Sequence, residues 1–516
     1  MTITDLENKY PKRNLPDGAE VVRVSPSPTG FVHLGLLYMA IICQRVAEST
    51  KGIFILRIED TDTAREVKGA KESIVNMLAK FNIKYDEGLK SDTQVGNYGP
   101  YVQSERKEIY DVCIDYLLSV GRAYRCFMTL EELDTLRAWQ TENKIRPGVY
   151  GEYAKYRDKE GSGPYVIRFL SRGNEHTKFK FYDEIIGDME VPENDEDFVL
   201  RKGDGLPTYH LAHVVDDHLM RTTFVLRGNE WWASLGKHIE IWQAFGWDIP
   251  KYGHLMSINK TDDGGVRKLS KRKDPEADVQ HFLNQGYMPE AIIAYLLRLI
   301  NPSFDDWMKD KIKNDEKINT SNFPFNIKEL SRGGRGPLLD IPKLDNISSE
   351  FFSYLYPEEL YELILIWSEK HDIEFKNILE KNKEYAINIF SIERKTKKNN
   401  KEKIRKDINK LADMRQQYYY FFDELYEKEK MNRQLDQNYP FSTSIARELK
   451  EKIKDMDMSS IDLWLAQMKE FAVYLGYDKF ANFMRDFRLA LTLEEKTPNL
   501  YDVILVMGME RVMSRL

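Results

Sequence analysis

His33 stands two residues ahead of Gly35, at the end of a stiff approach, Ser25-Pro26-Ser27-Pro28-Thr29-Gly30. Far downstream, Lys268-Leu269-Ser270-Lys271-Arg272 sets two ammonium groups three residues apart, behind Gly264-Gly265 and ahead of Asp274-Pro275. An imidazole can donate to a phosphate oxygen as charge develops on it. Two lysines on a hinged, aperiodic loop suit a reaction whose charge appears only in the transition state. In-line displacement at phosphorus, with pyrophosphate leaving, is such a reaction. It rests on positioning and electrostatics and requires no nucleophilic side chain. Each feature also has a plainer reading: His33 as a helix cap, the lysines as a solvated basic patch.

The elements around His33 read strand, helix, strand, over 21–24, 36–48 and 53–58. The apolar, non-alternating second strand suits a parallel sheet buried on both faces, with the helix as its crossover. His33 and Gly35 then fall where a strand ends and a helix begins, the place where open α/β sheets bind ligands and helix N-termini favour anions. Helical stretches at 106–119 and 130–141, several glycines and a short strand at 165–169 interrupt this pattern. It returns near Pro207, through 225–227, 234–245 and 253–258. Beyond 275 the periodicity is helical, over 289–299, 357–367, 404–426, 461–475 and 500–515, with a junction at Gly333-Gly334-Arg335-Gly336-Pro337.

The predicted architecture is a Rossmann-like α/β domain in two halves, 1–90 and 200–275, split by an inserted α+β domain, 91–199. All-α regions follow at 276–340 and 341–516. Of the 516 residues, 42% are hydrophobic and 31% charged, a balance typical of globular chains. No apolar run approaches the ~18 residues that span a bilayer, and residues 1–14 lack the apolar stretch of a secretory signal. No membrane association and a cytoplasmic setting are expected. Cys43, Cys113 and Cys126 fit neither a disulfide framework nor a zinc site. The net charge of −7 argues against a generally basic nucleic-acid binder. A basic run between Arg394 and Lys410 is either a solvated face or an RNA contact. The chain carries no HExxH, Walker A, GxSxG or GxGxxG pattern. Asp216-Asp217-His218 lacks a second ligand cluster and is read as packing and hydrogen bonding rather than metal binding.

Further residues sharpen the picture. Arg23, Arg57-Ile58-Glu59-Asp60-Thr61-Asp62, Gly99-Pro100-Tyr101, Gln103-Ser104, Pro207-Thr208-Tyr209-His210, Val215-Asp216-Asp217-His218-Leu219-Met220 and Arg227-Gly228 occur in order between the two opening motifs. This series resembles the bacterial-type glutamyl-tRNA synthetases, within the class I aminoacyl-tRNA synthetases and their HIGH and KMSKS signatures. The resemblance is close over residues 21–272, and the helical remainder is similar in length and arrangement.

The resemblance implies ATP-dependent attachment of L-glutamate to tRNA through an adenylate, with activation that requires bound tRNA. Arg23, Ser25, Glu59, Tyr209, His213 and Arg227 would line the glutamate pocket, and Ser27, His33, Gly35, Glu230, Trp231, Lys268, Leu269 and Lys271 the ATP site. His33, Lys268 and Lys271 would be catalytic. Two guanidinium forks for two carboxylates, and Glu59 for the ammonium, suit free glutamate. Magnesium is expected on the ATP phosphates, no structural zinc is expected, and a monomer is. Leu36 and Leu37 replace the second signature histidine, His213 stands where asparagine is commoner, and Asn229 replaces a common glutamate. Arg57 and Asp60 have an alternative role as a salt bridge beneath the site, and Trp231 as core. A glutaminyl-tRNA synthetase would end in β-barrels, and a tRNA-modifying relative would lack the helical half. Charging of tRNA(Gln) as well as tRNA(Glu) stays open.

Overall fold

The computed structural model describes residues 1–154, 157, 161–330, 336–396, 404–433, 441 and 443–516. A short helix, α1 (Ile3–Lys9), is capped reciprocally by Thr2 and Asp5. It precedes β1 (Val21–Val24), whose four residues are all buried, Arg23 included. Helix α2 (Leu34–Thr50) carries the chain to β2 (Ile53–Leu56), which pairs with β1 in parallel, Val21 opposite Ile53. Between them Lys51 takes the left-handed conformation at φ 55°. A Cβ on Gly52 would stand 1.9 Å from the Glu20 carbonyl oxygen, so no side chain fits where the chain turns back.

After α3 (Ala70–Lys80), β3 (Glu87–Lys90) joins in parallel and β4 (Thr93–Val95) antiparallel, giving the order β1-β2-β3-β4. The sheet therefore runs past residue 90 and ends on an antiparallel edge strand.

Helix α4 (Lys107–Ser119), β5 (Ala123–Cys126), α5 (Leu130–Glu142), β6 (Val166–Phe169), β7 (Lys178–Asp183), β8 (Gly187–Pro192) and β9 (Val199–Arg201) follow. They form an antiparallel sheet β5-β6-β9 and a hairpin β7-β8. The α/β pattern resumes with α6 (Tyr209–Leu219), β10 (Phe224–Gly228), α7 (Leu235–Phe245) and β11 (Lys251–Leu255). Strands β10 and β11 are parallel, with Arg227 opposite His254. Thr223 fastens the start of β10 to β1: its N–H donates to the Val21 carbonyl at 3.0 Å, and its hydroxyl accepts from Val21 N–H at 2.8 Å. Helices α4, α6 and α7 share a core that includes Ile114, Leu117, Leu211, Val215, Trp242 and Phe245.

The lysine segment departs from the expected aperiodic loop. β12 (Asn259–Asp262) and β13 (Gly265–Lys268) form an antiparallel hairpin, so Lys268 closes a strand.

Two compact units result. One comprises Met1–His281 and Ile293–Asp340, the other Phe282–Ile292 and Ile341–Leu516. The second is helical among its described residues, with a core that includes Phe352, Leu360, Phe390, Trp464, Phe487 and Ile504. Segment Phe282–Ile292 thus groups with the carboxyl-terminal helices rather than with 293–340. Gly333, Gly334 and Arg335 of the predicted junction, and Lys397, Lys398, Lys401 and Lys403 of the basic run, lie outside the described residues. The three cysteines are buried and free. Among the described residues no helix is long and apolar enough to cross a membrane.

Candidate active site

The first unit holds a cavity of about 650 Å³ at the carboxyl ends of β1 and β10. Thirteen of the fourteen predicted site residues line it: Arg23, Ser25, Ser27, His33, Gly35, Glu59, Tyr209, Arg227, Glu230, Trp231, Lys268, Leu269 and Lys271.

Its floor is a buried charge network. Arg23 Nε lies 2.8 Å from Asp217 Oδ1, and Arg23 Nη1 donates to the Leu226 carbonyl at 2.9 Å. Arg57 Nη1 reaches the same Asp217 oxygen at 2.7 Å, while its Nη2 holds Glu59 Oε1 at 3.0 Å. Burial alone would raise the Asp217 carboxyl, but Arg23, Arg57 and His213 hold it well below the usual range. For Glu59 burial prevails and pushes the carboxyl up, against Arg57 and Arg23. Arg57 is the salt-bridging residue beneath the site that one reading of the sequence offered. Asp60 is not its partner: it binds Lys71 and the Ser104 hydroxyl. The triplet Asp216-Asp217-His218 is occupied by protein contacts, Asp216 with Arg106 at 2.6 Å and His218 with Glu7.

His33 combines its two candidate roles. Its Nδ1 accepts the Gly35 N–H at 2.8 Å and caps α2. A ring that accepts at Nδ1 carries its proton on Nε2 when neutral. Burial, then Lys271 and Lys268, pull His33 down to about 4, so near pH 7 it is an uncharged donor. Gly35 serves the same cap, since a Cβ there would sit 3.0 Å from His33 Nδ1.

The lysines bridge to the walls of the cavity. Lys268 Nζ lies 3.4 Å from Glu230 Oε2. Lys271 Nζ lies 3.4 Å from the Phe31 carbonyl and 5.7 Å from the centre of that ring. The segment between them is tied down: Leu269 N–H donates to Ile258 at 3.0 Å, and Asp274 holds Ser270 N–H and, bidentately, Arg267. Tyr209 and Trp231 stack with ring centres 3.8 Å apart, forming an aromatic wall.

His213 is a correction to the predicted pocket. It is fully buried and stands behind the wall, its ring parallel to Tyr209 with centres 5.4 Å apart. Its Nδ1 lies 2.7 Å from Asp217 Oδ2 and 3.4 Å from Arg23 Nη2, and its Nε2 lies 3.2 Å from the Tyr252 hydroxyl. Burial takes it down to about 3, against Asp217, so it stays neutral. The resemblance puts His213 in the pocket; on α6 it lies one turn from Tyr209, whose ring stands between it and the cavity.

Sequence reading also passed over His238 and His254, which hold Arg227. Arg227 Nε donates to His254 Nε2 at 2.9 Å, and Nη1 lies 2.8 Å from His238 Nδ1. His254 is the register partner of Arg227 across β10 and β11, a neighbour that only the assembled strands reveal. Among the described residues no group of three or more His, Cys, Asp or Glu is arranged to hold a metal ion.

The model of the tRNA synthetases class I (E and Q) catalytic domain matches residues 20–330, and that of the anticodon binding domain matches 358–516. A glutamate–tRNA ligase of Clostridium perfringens (strain 13 / Type A) is 38% identical, the comparison covering 98% of this chain and 96% of that protein. The chain belongs to the glutamate–tRNA ligase family. A second glutamate–tRNA ligase, from Sorangium cellulosum (strain So ce56), is 35% identical over 99% of this chain and 96% of its own length. The fold agrees. A crystal structure of a glutamate tRNA ligase from Elizabethkingia meningosepticum, in complex with its amino acid, matches with a TM-score of 0.73 and 28% identity, over 96% of this chain and 98% of that one. The class I catalytic domain coincides with the part that carries the cavity, and the anticodon domain lies within the helical unit.

Proposed function

We propose that the protein attaches L-glutamate to the 3′ end of tRNA(Glu) at the expense of ATP, through glutamyl-adenylate. In the first step a glutamate α-carboxylate oxygen attacks the α-phosphorus of ATP, the bond to the β-phosphate oxygen breaks, and pyrophosphate leaves. In the second a terminal ribose hydroxyl attacks the acyl carbon, its proton is lost, and AMP leaves. ATP enters as its magnesium complex, the ion belonging to the substrate and taking few protein ligands.

Arg23 and Arg227 receive the two carboxylates of glutamate, and Glu59 its ammonium. Tyr209 bounds the glutamate chain on one side, with Trp231 stacked against it toward ATP. His33 donates its Nε2–H to phosphate oxygen as charge develops. Lys271, assisted by Lys268, leaves its resting contact to neutralise the departing pyrophosphate. Glutamine in place of glutamate leaves a buried guanidinium unpaired, at a cost of about 2–5 kcal/mol, or roughly 30- to 5,000-fold.

The observation that carries this reading is one cavity lined by both arginine forks, Glu59, His33 and both lysines, in a chain of the glutamate–tRNA ligase family. Charging of purified tRNA(Glu) with radiolabelled glutamate tests it. ATP-dependent, acid-precipitable label is expected, and its absence with active tRNA would reject the reading. A parallel reaction with tRNA(Gln) decides whether both acceptors are used.

A further inference from the structure

Arg227 differs from its neighbours in what holds it. Arg23 pairs with Asp217, and Arg57 with Asp217 and Glu59. No carboxylate among the described residues pairs with Arg227, although only 4% of its surface is exposed. Its contacts are neutral: His254 Nε2 at 2.9 Å, His238 Nδ1 at 2.8 Å, the Trp231 carbonyl at 3.4 Å, and the face of Tyr252, 4.8 Å from the guanidinium carbon. A buried cation without a counter-ion is costly to a fold.

The tautomers follow from the geometry. An arginine N–H has only a lone pair to give to, so the imidazole nitrogen facing it bears no proton. His254 then carries its proton on Nδ1, 2.6 Å from Asp183 Oδ2. The Asp183 carboxylate is thereby kept on the far side of one ring from Arg227. His238 carries its proton on Nε2, 3.0 Å from His210 Nδ1, which accepts it. Both chains of hydrogen bonds run outward from the guanidinium, and each needs uncharged rings. Burial pulls both imidazoles down, which keeps them so near pH 7. Three of the five guanidinium N–H groups have acceptors, and two are left on the residue that lines the cavity.

We propose that His238 and His254 are positioning residues for amino-acid recognition: each lends an uncharged ring nitrogen to one Arg227 N–H, fixing the fork while leaving its positive charge for a substrate carboxylate. The proposal rests on the reading of the cavity as a glutamate site. It adds that the site discriminates by withholding a protein counter-ion from this one arginine.

The test places an acceptor of chosen charge at the same point. Asn at 238 offers an amide oxygen near the position of Nδ1, and Gln at 254 one near Nε2; His238→Asp offers a carboxylate of the shape of Asn. KM for L-glutamate and for ATP, kcat and thermal midpoint are measured for wild type, His238→Asn, His238→Asp, His254→Gln and His254→Leu by pyrophosphate exchange with tRNA present. Expected for His238→Asp is a glutamate KM roughly tenfold or more above that of His238→Asn, with ATP KM unchanged and a thermal midpoint no lower. Equal glutamate KM for the two would overturn the proposal. Should His238→Asp fail to fold, the pair at 254 decides: His254→Gln keeps a glutamate KM near wild type and His254→Leu raises it, whereas equal values contradict the idea. Loss of all glutamate-dependent exchange in the wild type would instead sink the functional reading, a separate outcome.

Discussion

Asp217 accepts from two arginines on a single oxygen, and that arrangement sets what each side chain in the floor can do. Arg57 has no exposed surface, and it is the link between Asp217 and Glu59. Replacing it by leucine leaves Glu59 buried without its partner, and breaking a buried pair costs about 3–5 kcal/mol. Arg57→Leu should therefore lose stability of that order in urea unfolding of the first unit; a loss within error would show that the network is dispensable. Lys271 rests on Phe31 rather than on an acid, so its ammonium is released at small cost. Lys271→Ala should lower kcat of adenylate formation by about 100- to 1,000-fold with ATP KM little changed. A loss confined to ATP KM would assign the residue to ground-state binding instead.

Helix α2 is capped by His33, the residue proposed to donate to phosphate, which couples a cap to that proposed proton. Gly35→Ala tests the coupling. Alanine is the better helix former by about 1 kcal/mol, but its Cβ would meet His33 Nδ1 at 3.0 Å and displace the ring. Thermal stability should hold or rise while kcat falls; if both hold, the orientation of His33 is immaterial. Elements were legible where pattern and chemistry coincide. β1, α2 and β2 follow from apolar runs, and Lys51 with Gly52 marks their turn. The hairpin Asn259–Asp262 with Gly265–Lys268 was not legible, because its polar, exposed residues carry no alternation. Helical periodicity also overran breaks. Residues 404–426 read as one helix, yet the structure has Met414–Tyr418, a tighter turn at Tyr419–Phe421 and then Asp423–Asn432. Tyr418 to Phe422 are all buried, so hydrophobicity there marks a core crossing and not a face. The run 500–515 divides at Gly508, where φ is 83°. All site residues read from motifs but His213 lie on one cavity, whereas His238, His254 and Asp183 were invisible: they act through contacts that only the assembled sheet creates.

Across the whole molecule, buried neutral histidines make stability depend on pH. His213 is lowered to about 3, and His238 and His254 are lowered as well, burial being the first cause in each. Unfolded, these rings take up protons near 6.5. Between that value and their folded ones the unfolded chain binds more protons, so stability falls as pH falls, by at most about 1.4 kcal/mol per pH unit for each ring. Asp217 is held low instead and loses its contribution only below the ordinary carboxylate value of 3.8. The thermal midpoint should drop between pH 7 and pH 5, less steeply in His213→Asn; identical slopes would remove His213 from the cause. The most direct trial of the account is the ratio of kcat/KM for glutamate over glutamine in tRNA-dependent AMP formation by the wild-type protein. A cavity built around carboxylates predicts a ratio of at least about 30, while a ratio near one would contradict it.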